Sequence, residues 1–245
     1  LCSFYDSTGK PLESAPENVL RKAHDLFKKE TGMTFKALAE LEYYVISERD
    51  DFYPGVDQKG YHASEPFAKW ENLRREALIF IARAGGKVKY GHSEVGCFTT
   101  DEHLYEQHEI EFLPMPAEEA VEQLIIAKWI VRMLGYRYGV DISFAPKITV
   151  GKAGSGLHFH MMVEKDGKNM MVENGKLSNT AKKMVAGILD AADALTAFGN
   201  TIPISYLRLV PHQEAPTNIC WGERNRSVVI RVPLGWIGAE HMVQH

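Results

Sequence analysis

Acidic residues and histidines recur at every second position in three short segments of the chain. These segments are Glu40-Leu41-Glu42, Glu109-Ile110-Glu111 and His158-Phe159-His160. Residues two apart on a β-strand lie on the same face, with Cα atoms about 6.7 Å apart. Paired carboxylates repel each other unless a cation lies between them, and Mg²⁺ prefers carboxylate oxygens. The pattern therefore predicts strands that could hold divalent metal ions, although each segment alone is also typical of a solvent-facing strand.

Arginines accumulate near the end of the sequence, with one acidic residue among them: Arg208, Glu214, Arg224, Arg226 and Arg231. The guanidinium group matches the geometry of phosphate and carboxylate oxygens. Arg231 stands within the apolar run 228–232, so it must either form a structural ion pair or reach a binding site. Carboxylate-held metals together with arginines are typical of phosphoryl transfer from a nucleotide. Since the sequence has no Walker-type glycine loop, a sheet surface would have to hold the nucleotide.

The elements that must position these groups are a mixture of helices and strands. Apolar spacing and end signals, such as Pro16 at a first helical position, predict helices over 16–30, 65–84, 117–138 and 178–198. Alternating or β-branched runs predict strands over 35–46, 88–94, 108–113, 142–144, 156–164, 206–210 and 227–232. We expect a polar loop at 50–62 and an excursion at 98–105. The order of elements predicts an α+β fold, with helices packed on an antiparallel sheet.

Composition excludes several classes of protein. The 245 residues carry a net charge of −4, which gives no support for a nucleic-acid or anionic-membrane partner. No apolar run is long enough to span a bilayer. Three widely spaced cysteines predict free thiols in a reducing, cytoplasmic compartment. No long linker divides the chain, so we expect one domain over 1–245, and its start at Leu1 suggests a piece of a longer polypeptide.

Taken in order, these segments resemble the catalytic domain of glutamine synthetases, over nearly the whole chain. The resemblance rests on Glu40-Leu41-Glu42, His92-Ser93-Glu94-Val95, Gln107-His108-Glu109, Ala145-Pro146-Lys147, Gly154-Ser155-Gly156-Leu157-His158-Phe159-His160, Arg208-Leu209-Val210-Pro211, Glu214-Ala215-Pro216 and Arg224-Asn225-Arg226-Ser227. It implies a curved antiparallel sheet that carries the active site, with helices packed on its outer face.

The resemblance also implies a role for each matching residue. Two or more Mg²⁺ or Mn²⁺ ions are expected, the first held by Glu42, Glu94 and Glu109 and the second by Glu40 and His158. The nucleotide phosphates would be contacted by His160, Arg226 and Arg231, and Arg226 would also take part in catalysis. Gly154 and Arg208 would bind the amino-acid substrate, and Glu214 would take a proton from the incoming amine.

The implied reaction is an ATP-dependent ligation. Glutamate or a related acid would form an acyl phosphate, which ammonia or another amine would displace to give an amide. The family assembles into rings, so the parent protein is expected to be a homo-oligomer. The small N-terminal domain and the C-terminal part of the family are missing from this sequence, so this part alone is expected to lack some of the active site.

Four departures from the family pattern bear on the substrate. Ala153 replaces an asparagine that helps to bind glutamate, Met162 replaces a serine near the nucleotide, and His212 replaces a glycine. The spacing from Glu94 to Glu109 is also longer than usual, so that 98–105 resembles an insertion. These changes bear on the acid and the amine, whereas the residues implied in metal binding are retained.

The sequence leaves two other interpretations open. A non-catalytic structural or regulatory relative could keep the fold, and Ala153 and Met162 favour that reading slightly. Phosphoryl transfer to a guanidino compound on a related sheet is weaker, and it would yield no amide. A metal-binding measurement distinguishes the first alternative from an enzyme, because a non-catalytic relative has no need of two clustered metal sites.

Overall fold

The computed structural model of the chain describes residues 1–211, 215–223 and 225–232. Its contacts divide the chain into two compact units. The first unit comprises Leu1–Phe144 and Ser155–Glu164, and the second comprises Ala145–Gly154 and the described residues from Lys165 onward. The expectation of one domain over 1–245 stays a prediction.

Helices and strands alternate irregularly along the chain. The helices are α1 (Pro16–Thr31), α2 (Glu71–Arg83), α3 (Ala117–Tyr138), α4 (Asn179–Asp190), α5 (Ala192–Gly199) and α6 (Pro203–Tyr206). The strands are β1 (Thr34–Glu48), β2 (Val88–Thr99), β3 (His103–Phe112), β4 (Met115–Pro116), β5 (Asp141–Ser143), β6 (Leu157–Lys165), β7 (Lys168–Asn169), β8 (Val172–Glu173), β9 (Lys176–Leu177), β10 (Asn218–Glu223) and β11 (Val228–Val232). None of the described helices is both long enough and apolar enough to cross a membrane.

Strand β1 is the centre of the sheet in the first unit. The order of the long strands is β2-β3-β1-β6, and the short strands β4 and β5 also pair with β1. Every pairing of β1 is antiparallel. The α+β class with an antiparallel sheet, predicted from the order of elements, is therefore confirmed.

The two faces of this sheet differ in chemistry because side chains alternate along each strand. Leu41, Tyr43 and Val45 of β1 join the core that α2 and α3 cover. Glu40 and Glu42 lie on the opposite face of the same strand. Strand β3 repeats the pattern, since Ile110 is fully buried in the core cluster while its neighbours Glu109 and Glu111 point away.

Helices α1 and α3 begin and end close to where end signals predicted. Pro16 occupies a first helical position in α1, and Gly32 closes it in the left-handed conformation. Gly139 closes α3 in the same way. Sequence-local signals are sufficient at these ends, because the residues that stop the helix lie next to it.

Helix α2 begins six residues later than predicted, at Glu71 rather than Glu65. The reason is a carboxylate from a distant strand. Glu106 of β3 accepts hydrogen bonds from the backbone N–H groups of Lys69 (2.8 Å) and Trp70 (3.1 Å) at the helix start. A helix N-terminus has unsatisfied donors and a positive dipole end, both of which favour a carboxylate there. Glu106 thus sets where α2 begins.

The excursion predicted at 98–105 is wrong, because this segment is the tip of a β-hairpin. Strand β2 continues to Thr99 and β3 starts at His103, with pairs that include Phe98 with Tyr105. The rings of Phe98 and Tyr105 stack with centroids 4.4 Å apart and nearly parallel planes. The added residues therefore lengthen a hairpin, and the two strands keep their pairing.

The second unit corrects two further predictions. The helix predicted over 178–198 is two helices, since Ala191, with a ψ angle of 9°, ends α4. Its predicted cap is confirmed, because the Ser178 side chain accepts a hydrogen bond from Ala181 N–H. The strand predicted over 206–210 is wrong: Pro203 starts the short helix α6, and local turns follow it through Leu209.

We predict that Glu106→Gln destabilises the fold by about 3 kcal/mol, because it leaves the buried Arg74, which Glu106 reaches through His108, without this counter-charge. Glu106 is 4% exposed and lies 2.9 Å from His108, which in turn contacts the buried Arg74. Urea unfolding at neutral pH measures the loss. Glu102→Gln, at the exposed hairpin turn, is the matched control and should change nothing. Equal stability of the two variants would contradict the capping role.

Candidate metal and substrate site

The pairing register brings the predicted acids and histidines onto one face of the sheet. Glu42 is paired with Glu109, and Glu40 is paired with Glu111 on one side and with His158 on the other. Directly paired residues of neighbouring strands point to the same face, with Cβ atoms about 5 Å apart. His92 of β2 is in turn paired with Glu109. Four strands thus supply donors to a single patch.

Glu40 is held by both histidines of β6. His158 Nδ1 lies 2.8 Å from one of its carboxylate oxygens, and His160 Nε2 lies 2.7 Å from the other. Although burial acts in the opposite direction, these hydrogen bonds hold the pKa of Glu40 far below its usual range. The carboxylate therefore stays ionised, and the two predicted ligands of the second metal contact each other.

Glu42 is oriented by neutral donors instead. Its Oε2 accepts hydrogen bonds from the Gly156 N–H (2.7 Å) and from Gln107 Nε2 (3.0 Å). The other end of Gln107 accepts a hydrogen bond from Gly96 N–H at 2.9 Å. One amide side chain therefore links β1 to the irregular part of β2, and it leaves Oε1 of Glu42 directed toward His158, at 4.0 Å.

A bulge in β2 places Glu94. Ser93 is paired with His108 and Cys97 with Glu106, so that three residues of β2 lie opposite Gln107 alone. Bulges of this kind redirect side chains and are frequent beside active sites. The bulge requires Gly96, because a Cβ there would lie 1.9 Å from the Tyr44 hydroxyl oxygen. Glu94 Oε1 then lies 3.9 Å from His92 Nδ1.

Glu109 is the carboxylate that most needs a cation. Only 5% of the residue is exposed, and its ion-pair partner His92 is 3.5 Å away. Burial, followed by the charges of Glu42, Glu40, Glu94 and Glu111, raises the pKa of Glu109 far above its usual range. A buried carboxylate surrounded by four others is costly unless it is protonated or bound to a metal.

A compact set of donor atoms surrounds Glu109. The ligand atoms of His92, Glu109 and Glu111 lie within 4.8 Å of one another, and all three side chains are buried. Glu111 also accepts a hydrogen bond from Lys89 Nζ at 2.9 Å and one from the Tyr90 hydroxyl. Oxygen donors with imidazole at this spacing fit a divalent cation. Of this set, only Glu109 is among the metal ligands that the resemblance implies.

In the second unit, two predicted substrate residues lie side by side. A Cβ on Gly154 would lie 2.9 Å from Arg208 Cγ and 2.5 Å from the Pro146 carbonyl oxygen, so the position has room only for glycine. Lys147 nearby is 5% exposed and donates a hydrogen bond to the Lys152 carbonyl oxygen at 2.6 Å. Burial and then the charge of Arg208 lower the pKa of Lys147. These two cations favour an anionic ligand.

The remaining predicted residues divide into two groups. Arg226 and Arg231 are exposed, the second on β11. An exposed Arg231 argues against a buried structural ion pair. Glu214 and Arg224 lie outside the described residues. The roles assigned to all of these side chains stay predictions.

Sequence reasoning did not identify several residues of the patch as functional. His62, from the loop before α2, stacks on His92 with ring centroids 4.6 Å apart, and Tyr90 lies on the ring as well, at 5.5 Å. Gln107 was noted only as part of a motif. Arg74 gave no signal at all, since a cation on a helix usually faces solvent.

The fold and the patch define the class of protein: an antiparallel sheet, backed by helices, that presents carboxylates and imidazoles suited to divalent cations. Residues 13–243 match the family model described as glutamine synthetase, catalytic domain. The chain therefore belongs to the glutamine synthetase family, in the part that forms the catalytic domain.

Curated relatives support membership of this family. The chain is 32% identical over 239 residues to the glutamine synthetase of Thermus thermophilus, covering 95% of this chain and 52% of that protein. It is 34% identical over 229 residues to the glutamine synthetase of Pyrococcus horikoshii, covering 93% and 50%. The chain thus spans about half the length of the curated relatives it matches.

A solved structure supports the fold independently. The cryo-EM structure of Plasmodium falciparum glutamine synthetase matches with a TM-score of 0.85 at 23% identity, over 95% of this chain and 51% of that one. At this identity the match concerns the fold alone. It confirms the predicted fold class.

We predict that Glu109→Gln raises the stability of the metal-free protein, by on the order of 2 kcal/mol at pH 8, and weakens stabilisation by Mn²⁺. The folded carboxyl keeps its proton to higher pH than an unfolded one, whose pKa is near 4.5, so its ionisation costs stability as the pH rises. The gain should therefore grow between pH 5 and pH 8.

Thermal unfolding with a chelator and with Mn²⁺ measures both effects. Glu48→Gln, at the exposed end of β1, is the matched control and should behave as the wild type. A metal-free Glu109→Gln protein less stable than the wild type at pH 8 would show that contacts within the fold, such as the one with His92, already stabilise the ionised carboxylate without a cation.

Proposed function

We propose that this chain supplies the catalytic sheet of an ATP- and divalent-metal-dependent carboxylate–amine ligase of the glutamine synthetase type. The observation that carries the proposal is the register that collects Glu40, Glu42, Glu109 and His158 on one face of adjacent strands. Family membership supports it, although the relatives are about twice as long. The whole enzyme's activity and substrates are therefore part of the proposal.

Two or more Mg²⁺ or Mn²⁺ ions would be held by the patch. Glu42, Glu94 and Glu109 would bind the first, and Glu40 with His158 the second. The donor set fits, because its oxygens are the ligands these ions prefer and because buried, crowded carboxylates need positive charge. When bound, the ions would neutralise phosphate charge during phosphoryl transfer. Gln107 and the Gly156 N–H keep Glu42 oriented for this task.

The second unit would serve the substrates. Arg226 and Arg231 would contact the ATP phosphates, and Arg226 would also stabilise the charge that develops in the transition state. His160, which belongs to the first unit, is likewise proposed to contact phosphate. Arg208, beside Gly154, would bind the carboxylate of the acid through its guanidinium fork. Glu214 would take a proton from the attacking amine after the acyl phosphate has formed.

The acid is glutamate or a close relative, and the amine is ammonia or a larger one. Ala153 offers no side-chain amide to the acid, and Met162 presents a buried thioether on the same strand as the two histidines. Both changes remove polar groups without touching the carboxylates. The full-length protein would be a cytoplasmic homo-oligomer, without a nucleic-acid or membrane partner.

Phosphate release from ATP tests the proposed function. The full-length protein with Mg²⁺ would be given L-glutamate and, in turn, ammonia, hydroxylamine and a panel of primary amines. We expect release that requires both glutamate and one amine, with an amide as the product. Glu42→Gln should abolish it, and Glu48→Gln, on the same strand but exposed, should leave it unchanged.

Other outcomes identify the alternatives. No release with any pair, from a folded protein, would contradict the ligase and favour a non-catalytic relative. A phosphorylated product without an amide would favour phosphoryl transfer to another acceptor.

We predict that Arg231→Ala lowers ATP affinity about tenfold and leaves the melting temperature nearly unchanged. A charged hydrogen bond to phosphate contributes about 1.5 kcal/mol or more to binding, whereas loss of an exposed side chain costs the fold little. Calorimetric titration of the full-length protein with a non-hydrolysable ATP analogue measures the affinity. Lys176→Ala, exposed in the same unit, is the control. Normal affinity with a large loss of stability would favour a structural role for Arg231.

A further inference from the structure

A buried arginine lies behind the carboxylate patch, on the helix side of the sheet. Arg74 belongs to α2, one turn from its start, and is 5% exposed. A single terminal nitrogen, Nη1, donates to Ser93 Oγ at 2.9 Å and to His108 Nδ1 at 2.6 Å. A guanidinium is rarely buried without a reason, because removing its charge from water is unfavourable.

Each of the two acceptors is next in the sequence to a residue that is predicted to bind metal. Ser93 stands between His92 and Glu94 on β2, and His108 stands between Gln107 and Glu109 on β3. Both acceptors point to the helix side, while their neighbours point to the patch. Ser93 and His108 are also direct partners in the β2–β3 pairing. One nitrogen of Arg74 therefore links side chains of both strands, each next to a residue that is predicted to bind metal.

The protonation of His108 follows from its partners. A guanidinium can only donate, so Nδ1 must be the acceptor and the proton of the neutral ring must be on Nε2. Nε2 lies 2.9 Å from the Glu106 carboxylate. The imidazole is thus neutral and bridges a buried cation to a buried anion. It connects Arg74 to the carboxylate that caps α2.

The far end of this network is anchored in the backbone. Glu106 accepts from the N–H groups of Lys69 and Trp70, and Ser93 Oγ donates to the Ala63 carbonyl oxygen at 2.9 Å. The segment before α2, the helix itself, β2 and β3 are therefore joined through four side chains, those of Arg74, Ser93, Glu106 and His108. A displacement of α2 would move the strand bulge that carries Glu94.

We propose that Arg74 is a positioning residue for the metal patch, which it serves by fixing Ser93 and His108 behind Glu94 and Glu109. This inference rests on the proposed function, since it assumes that the patch binds divalent ions. Groups that orient metal ligands from behind typically contribute 10–100-fold to metal affinity. We therefore expect Arg74 to affect metal binding beyond its effect on the stability of the fold.

The experiment measures Mn²⁺ affinity and thermal stability side by side. Free Mn²⁺ is followed by electron paramagnetic resonance in the full-length protein, well below its melting temperature. The variants are Arg74→Met, Arg74→Lys and Ser93→Ala. We expect Arg74→Met to weaken Mn²⁺ binding about tenfold or more. Arg74→Lys should restore part of the loss, since an ammonium can donate to both acceptors.

Two control variants separate positioning from general destabilisation. Arg75→Met removes the exposed neighbouring arginine of the same helix and should change neither quantity. Leu134→Ala opens the core on α3, where the side chain is 2% exposed, and should lower the melting temperature without changing Mn²⁺ affinity. Ser93→Ala removes one hydrogen bond with little change in volume, so it reports on Mn²⁺ affinity even if Arg74→Met does not fold.

Each outcome is decisive. Wild-type affinity in Arg74→Lys and Ser93→Ala, and in Arg74→Met where it folds, would overturn the positioning role. Equal loss of affinity in Leu134→Ala would also overturn it, because the effect would then follow stability alone. Failure of the wild type to bind Mn²⁺ would instead contradict the proposed metal site itself.

Discussion

The crowding of carboxylates on one face of the sheet is the constraint on which the rest of the structure depends. Glu40, Glu42, Glu109 and Glu111 lie in direct register on two central strands, and Glu109 is nearly fully buried. Like charges at this spacing repel, and burial adds to the cost. Two histidines satisfy Glu40 and neutral amide donors satisfy Glu42, whereas Glu109 keeps a raised pKa. The site is thus built to receive positive charge.

The opposite face of the same strands packs against helix α2. Helix α2 packs on β2 and β3 behind the bulge that carries Glu94, and charged side chains are buried in this contact. Glu106 caps the helix, neutral His108 bridges to Arg74, and Arg74 reaches Ser93. Because side chains alternate along a strand, these groups lie one residue away from the side chains that are predicted to bind metal.

The sequence predicts most of what depends on neighbouring residues. Pro16, Gly32 and Gly139 mark helix ends, and alternation at Glu40 and Glu42 predicts which face they share. The start of α2 could not be predicted, because its cap, Glu106, lies 36 residues away from Trp70. The strand predicted over 206–210 failed because Pro203 starts a helix that local periodicity does not show. Arg74 was missed since nothing in its neighbourhood distinguishes it from a surface cation. Motif order predicted the family, whereas the roles of the individual residues need measurement.

Anomalous diffraction from crystals of the full-length protein grown with Mn²⁺ would show whether the patch binds divalent ions. Data collected on either side of the manganese absorption edge would locate each ion without assumption. We predict at least two peaks on the patch, one in contact with Glu42, Glu94 and Glu109 and one in contact with Glu40 and His158. A protein with no manganese peak on the patch, and with Glu40 still bonded to His158 and His160, would contradict it.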